Sequence, residues 1–143
     1  PNLECGAVKS GRKLDDIRIN GGGFIVVGKT NQEVNQGIEE ARRRISFYGS
    51  TQVYRTVLDI HGWGAIGDQL RELSLNGRWD EMPQLITDEM VEAFSIVGTY
   101  NTIGPQLRQY YGKFASQISL PLPEGQSTEH EMELSGLLGE LQD

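Results

Sequence analysis

Two apolar patterns stand back to back between residues 24 and 48. Phe24-Ile25-Val26-Val27 is an unbroken apolar run with three β-branched side chains, the pattern of a strand covered on both faces, as in a parallel sheet. Val34, Ile38, Ala41, Ile45 and Tyr48 then recur at spacings of 4, 3, 4 and 3, which puts them on one face of an α-helix. At the change of period, Thr30 and Glu33 form a T-x-x-E capping box, so the helix is expected to start there. Glu39 and Glu40 precede Arg42-Arg43-Arg44 at helical spacing, which supports the same helix, and Gly49 is its expected C-cap. The stretch predicts a βα unit.

On either side the pattern is weaker. Residues 1–14 read as the end of a helix, with Leu3, Ala7 and Val8 on one face and a stop at Ser10-Gly11-Arg12. Ile17-Arg18-Ile19 is a candidate strand start. Thr51 is expected to cap a short helix carrying Val53, Val57, Leu58 and His61, ended by Gly62-Trp63-Gly64. Ile66, Leu70 and Leu73 mark a third helix, ended near Asn76-Gly77. Asp80 is expected to cap a fourth with Met82, Leu85 and Ile86, and Asp88 starts a fifth with Met90, Val91 and Phe94. Ser95-Ile96-Val97-Gly98-Thr99 reads as a turn. Beyond it Ile103, Leu107, Tyr110 and Tyr111 give another helix, stopped at Gly112. Pro105 is cheap only in a first turn, so the regular helix is placed from about Thr102. Gln117-Ile118-Ser119-Leu120 reads as a second strand, cut off by Pro121 and Pro123. In the tail 124–143, Thr128 and Glu131 precede Leu134, Leu137, Leu138 and Leu141, the pattern of an acidic amphipathic helix.

The bulk numbers narrow the classes. A chain of 143 residues with 37% apolar and 23% charged residues is one soluble globular domain by expectation. A net charge of -7 argues against nucleic acid or an anionic membrane as partner. No apolar run approaches the length of a membrane span, and the first residues have no signal-peptide pattern. Cys5 is the only cysteine, so no intrachain disulfide can form, which fits a reducing cytoplasm. The chain does not start with Met, and part of a longer protein is expected.

Gly23 to Thr30 fits G-x-x-x-x-G-K-[ST], the P-loop pattern. A P-loop wraps a phosphate with flexible backbone, however, and its strand comes first. Here the intervening Phe24-Ile25-Val26-Val27 is itself the strand, so a buried strand and its βα turn is the better reading. His61 and His130 lack the companions and spacing of a metal site, and none is expected. Tyr48, Ser50, Tyr54 and Arg55 gather at a helix junction, with His61 and Trp63 shortly after. No Ser/His/Asp or Cys/His set is visible, so the residues alone give a helix-rich α/β protein with no self-sufficient active site.

The run Arg43-Arg44-Ile45-Ser46-Phe47-Tyr48-Gly49-Ser50-Thr51, continuing through Tyr54-Arg55 and Leu58-Asp59-Ile60-His61-Gly62-Trp63-Gly64, resembles the C-terminal part of luciferase-like monooxygenases. Gly77-Arg78-Trp79-Asp80-Glu81-Met82, Ile86-Thr87-Asp88-Glu89-Met90, Ala93 to Thr99 and Ile118-Ser119-Leu120 extend the likeness over residues 3–123, nearest to the deazaflavin-dependent oxidoreductases. The resemblance implies a C-terminal fragment of a (β/α)8 TIM barrel in residues 1–123, with Phe24–Val27 and Ile118–Leu120 as its last two strands. A helical insertion at 51–95 would lie between them, and the acidic helix 124–143 would follow. It implies hydride transfer with a deazaflavin coenzyme, or oxygenation with flavin mononucleotide, on a small-molecule substrate. Tyr48, Ser50, Tyr54, Arg55, His61 and Trp63 become candidate pocket walls for that cofactor, and Lys29 sits near the barrel mouth. Such a chain is expected to be inactive without the missing N-terminal half, and to seek it or a second copy as partner. A non-catalytic helical assembly module is the alternative. Tyr100, where the family often has proline, and Pro105 depart from its pattern.

Overall fold

A computed structural model describes residues 1–120. The tail helix expected at 124–143 lies outside the described residues. Two short parallel pairs of strands organise the rest. The first joins β1 (Asn20–Gly21) to β4 (Gln117–Ile118); the second joins β2 (Phe24–Gly28) to β3 (Ser95–Thr99). In the second, Phe24 stands beside Ser95 and Gly28 beside Thr99.

Ser95–Thr99 is therefore a strand, where the sequence reads as a turn. It is this segment, not Ile118–Leu120, that pairs with Phe24–Gly28. The other expected strand shrinks to Gln117–Ile118 and finds a separate partner in Asn20–Gly21. Ile17–Ile19 is not a strand; Ile19 only holds the neighbouring chain, its N–H donating to Ser116 Oγ at 2.8 Å and its carbonyl accepting from Ser116 N at 2.9 Å.

Period-2 alternation divides the β2–β3 layer between two cores. Phe24, Val26 and Val97 pack into a cluster with Val34, Ala41, Ile45, Leu70 and Met90. Ile25, Val27 and Ile96 pack into the other, with Tyr100, Ile103, Leu107 and Tyr111. Both faces are covered, as the unbroken apolar run of β2 predicts.

The first cluster is built on α2 (Asn31–Gly49). Thr30 caps it by accepting from Glu33 N at 3.2 Å, and the Glu33 carboxylate accepts from Lys29 N at 2.8 Å. The helix runs back along β2: a Cβ at Gly28 would press on Glu33, and one at Gly37 would lie 2.7 Å from Val26 Cγ1. Helices α3 (Arg55–Ile60), α4 (Gly64–Leu75) and α5 (Asp88–Phe94), with 3-10 turns at Gln52–Tyr54 and Trp79–Leu85, carry the chain across to β3. Gly62 and Gly77 end helices with φ of 78° and 70°, a region glycine reaches at little cost. Arg42 anchors this crossing, donating to the Ile86 carbonyl and pairing with Asp88.

Details of the caps differ from expectation. Thr51 stands at the N-cap of the 3-10 turn Gln52–Tyr54, but its hydroxyl donates to the Tyr48 carbonyl at 2.8 Å and makes no cap bond, and Val53 is 85% exposed. Asp80 falls inside the 3-10 turn, and Ser50, not Gly49, is the C-cap of α2.

The second cluster is built on α6 (Tyr100–Tyr111), which starts at Tyr100 with Thr99 as N-cap. Thr102 Oγ1 accepts from Thr99 N at 3.0 Å. Pro105 thus falls in the second turn. The carbonyl it leaves without an N–H partner is that of Asn101, an exposed residue that water can serve. At the far end the Tyr111 ring lies on Gly21, where an added Cβ would stand 2.6 Å from Cδ1. Its hydroxyl donates to the Gly22 carbonyl at 2.8 Å. A short helix α1 (Asn2–Lys9) precedes this assembly.

Candidate functional site

The last turns of α2 bring Arg44 and Tyr48, four residues apart, to the start of β2. Tyr48 packs against Phe24 with ring centroids 6.0 Å apart, and the Arg44 guanidinium lies 4.9 Å from the Phe24 centroid, a cation–π distance. Tyr54 meets Tyr48 edge-on at 5.2 Å. Phe47 extends the aromatic surface to Trp79, 6.1 Å away. Phe24, Arg44, Tyr48 and Tyr54, with Ile45, Leu58 and Phe94, enclose a half-open cavity of about 390 Å³. That volume lies within the range of small-molecule pockets, roughly 300–1,000 Å³. Arg44 is the one charged residue on its wall, and it has no carboxylate partner among the described residues.

The cavity sits at a junction. Gly23 on its wall lies just past the carboxyl end of β1, while Phe24 opens β2 and Phe94 immediately precedes β3. Phe24, Phe94 and the last turn of α2 thus put the cavity at the amino end of the β2–β3 pair, whereas ligands of parallel α/β sheets ordinarily bind beyond the carboxyl ends of strands. At the carboxyl end of β2, Thr30 takes the Glu33 amide and Glu33 takes the Lys29 amide, and Phe24–Gly28 is extended backbone in a ladder. The segment matching the P-loop pattern is a strand and a βα turn, as its side chains indicate.

Of the six residues singled out in the sequence, Tyr48 and Tyr54 line the cavity. Ser50 is buried and donates to the Phe47 carbonyl at 2.7 Å, closing the helix end. Arg55 pairs with Asp59 at 2.9 Å and with Asp68, tying α3 to α4; these hydrogen bonds, Asp59 first, hold its guanidinium above its ordinary range. His61 stacks on Trp63 at 4.8 Å, and both rings meet Phe94 edge-on, so they support the wall from behind. Sequence reasoning missed Phe24, Arg44 and Phe94. The i,i+4 spacing of Arg44 and Tyr48 was a usable signal; the approach of Phe24 and Phe94 needs the β2–β3 pairing. Among the described residues no group of His, Cys, Asp and Glu could hold a metal ion. No helix among them is long and apolar enough to cross a membrane.

Comparisons with known proteins show the family. An uncharacterised protein of Mycobacterium tuberculosis is 39% identical over 108 residues, covering 76% of this chain and 32% of that protein. The 5,10-methylenetetrahydromethanopterin reductase of Methanopyrus kandleri is 28% identical over 139 residues, 95% of this chain and 38% of the reductase. The solved structure of the coenzyme F420 dependent tetrahydromethanopterin reductase from the same organism superposes with a TM-score of 0.69 at 26% identity, over 93% of this chain and 38% of that one. The chain thus spans about a third of the length of the curated relatives it matches. Residues 1–117 match the luciferase-like monooxygenase family, and the chain belongs to it.

Proposed function

We propose that this chain is part of a deazaflavin-dependent oxidoreductase and supplies one wall of the pocket for the coenzyme ring. The observation that carries the reading is the aromatic cavity between the start of β2 and the end of α2, with Arg44 on its wall. Its size and its flat aromatic faces fit a planar ring, and a guanidinium at the edge fits the ring's electronegative atoms. A bound deazaflavin would take or give a hydride. The protein residues do the rest: Phe24, Tyr48 and Tyr54 hold the ring and exclude water, and Arg44 orients its polar edge. The relatives whose names state a function are reductases, one of them dependent on coenzyme F420, which favours a deazaflavin over flavin mononucleotide. The other two-thirds of the family's length would close the barrel and complete the site, so turnover is expected only with them present.

Fluorescence titration with coenzyme F420 and with flavin mononucleotide tests this. Coenzyme F420 is expected to bind, and Tyr48→Ala to weaken binding about tenfold through loss of one aromatic contact. Equal binding by Tyr48→Ala and the parent chain would remove the cavity from the site.

The exposed Val53 and Ile60, at 85% and 79%, support a further reading of this region as a surface covered in the assembled protein. Sizing the chain alone, and with the remainder of the family fold supplied in trans, would show whether either contact forms.

A further inference from the structure

Outside both cores, α1, residues 14–19 and the segment after α6 enclose a half-open groove of about 780 Å³. Leu3, Leu14, Ile17, Ile19 and Phe114 lie on its wall, and none of them joins either core cluster. Leu3 and Phe114 are more than half exposed, at 54% and 53%. Apolar side chains gathered in one open groove, instead of scattered singly, mark a surface that something covers.

The segments that form the groove also carry a surplus of positive charge in a chain of net charge -7. Lys9, Arg12, Lys13, Arg18 and Lys113 stand on them, all exposed and none with a carboxylate partner among the described residues. Three carboxylates stand with them, Glu4, Asp15 and Asp16, and Asp16 accepts from Lys13 N at 2.8 Å.

The chain itself holds the complement. Leu120, which packs at the margin of the second core, stands four residues from Ser116 on the groove wall, and the sequence continues from Pro121 to Asp143. From Glu124 onward it has six acidic residues and no Lys or Arg. Leu134, Leu137, Leu138 and Leu141 follow the i, i+3, i+4, i+7 spacing of one helix face. The connecting residues 121–133 could span at most about 40 Å, ample for a return to the groove.

We infer that residues 124–143 dock in this groove as a helix. The leucine face meets Leu3, Leu14, Ile17 and Phe114, and the acidic residues stand beside the five cations. An amphipathic helix laid in an apolar groove is a recurring mode of recognition, and opposite charges along the rim set its orientation. The tail is then a cover for this corner of the chain, supplied from within.

Cys5, exposed on α1 and the only cysteine, gives the test a natural handle. A nitroxide attached there in the full chain is expected to broaden the amide signals of Leu134 to Leu141. Leu137→Asp combined with Leu138→Asp should abolish the broadening while the α2 amides keep their shifts, a check that the chain is still folded. Arg12→Glu combined with Lys13→Glu should reduce it, as should about 1 M salt, which screens the rim charges. Mixing the nitroxide-bearing chain with an isotope-labelled chain that lacks the nitroxide should leave the tail signals sharp. Tail signals untouched by the nitroxide on their own chain would overturn the inference. So would broadening found only in the mixture, where a second copy fills the groove, or broadening that neither pair of substitutions changes.

Discussion

The two parallel pairs share a connectivity and differ in nearly everything else. β2–β3 is five residues long, with a helix-built core on each face, and Ile25 and Val26 are both buried. β1–β4 is two residues long, and Asn20 and Gln117 are exposed. The longer pair is held by packing and would persist with its edges open. The shorter is held by hydrogen bonds of Ile19 with Ser116 and Gln117 and of Asn20 with Ser119, by Ile118 at the margin of the second core, and by Tyr111 resting on Gly21. A parallel ladder this short has little stability of its own, because sheets of this kind depend on covered faces. The candidate site lies between them, with one firm wall and one lightly held.

Breaking the firm side should cost most. Ile103, fully buried, joins α6 to the Ile25/Ile96 face, and Ile103→Ala is expected to destabilise the chain by about 2–5 kcal/mol in chemical denaturation. A cost under about 1 kcal/mol would mean that this face collapses around the cavity and is not rigid.

The link between the two pairs comes next. Tyr111→Phe removes the hydrogen bond to Gly22 and is expected to cost about 1 kcal/mol. It should also change alkaline behaviour. Burial, and secondarily the neighbouring Tyr110, hold the Tyr111 phenol above its ordinary range. Its contribution is full below the unfolded value and is lost as pH rises beyond about 10, because the unfolded chain ionises first. Thermal melts of the parent should therefore fall more steeply above that pH than those of Tyr111→Phe; parallel curves would disprove the linkage.

The smallest effect belongs to the short pair. Ser116→Ala removes the acceptor for Ile19 N and is expected to cost about 0.5–1 kcal/mol. Its clearer mark should be faster amide exchange at Ile19 with the α2 amides unchanged. If α2 amides speed up equally, the two pairs open as one unit and the contrast between them disappears.

The same contrast decided what the sequence could reveal. The α2 face and its capping box are local signals, and both were legible, as was β2 through its unbroken apolar run. The strand Ser95–Thr99 was not: it carries only Ile96 and Val97 as bulky apolar residues, and its Gly98-Thr99 has the composition of a turn and a helix cap. Its strand character comes from Phe24–Gly28, far away in sequence. Tyr48 and Tyr54 flank one helix junction, and both line the cavity. Ser50 and Arg55 share that junction but serve it structurally, and polarity alone could not separate the two uses. Phe24 looked like core because it is half core, packed on α2 with its other side toward the cavity.

The parallel pairing also sets an order in time. β2 leaves its hairpin-free turn with no partner nearby, since Phe24 must wait for Ser95, and Ile19 must wait for Ser116, 97 positions later. During synthesis α2 can wind at once from its own cap, but the strand before it stays a bare apolar edge until the whole helical crossing has emerged. Contacts so distant close slowly, and an edge of this kind invites strangers meanwhile. For this chain, the vulnerable moment is the interval before residue 95 arrives, when α2 is ready and nothing yet lies beside Phe24 to Gly28.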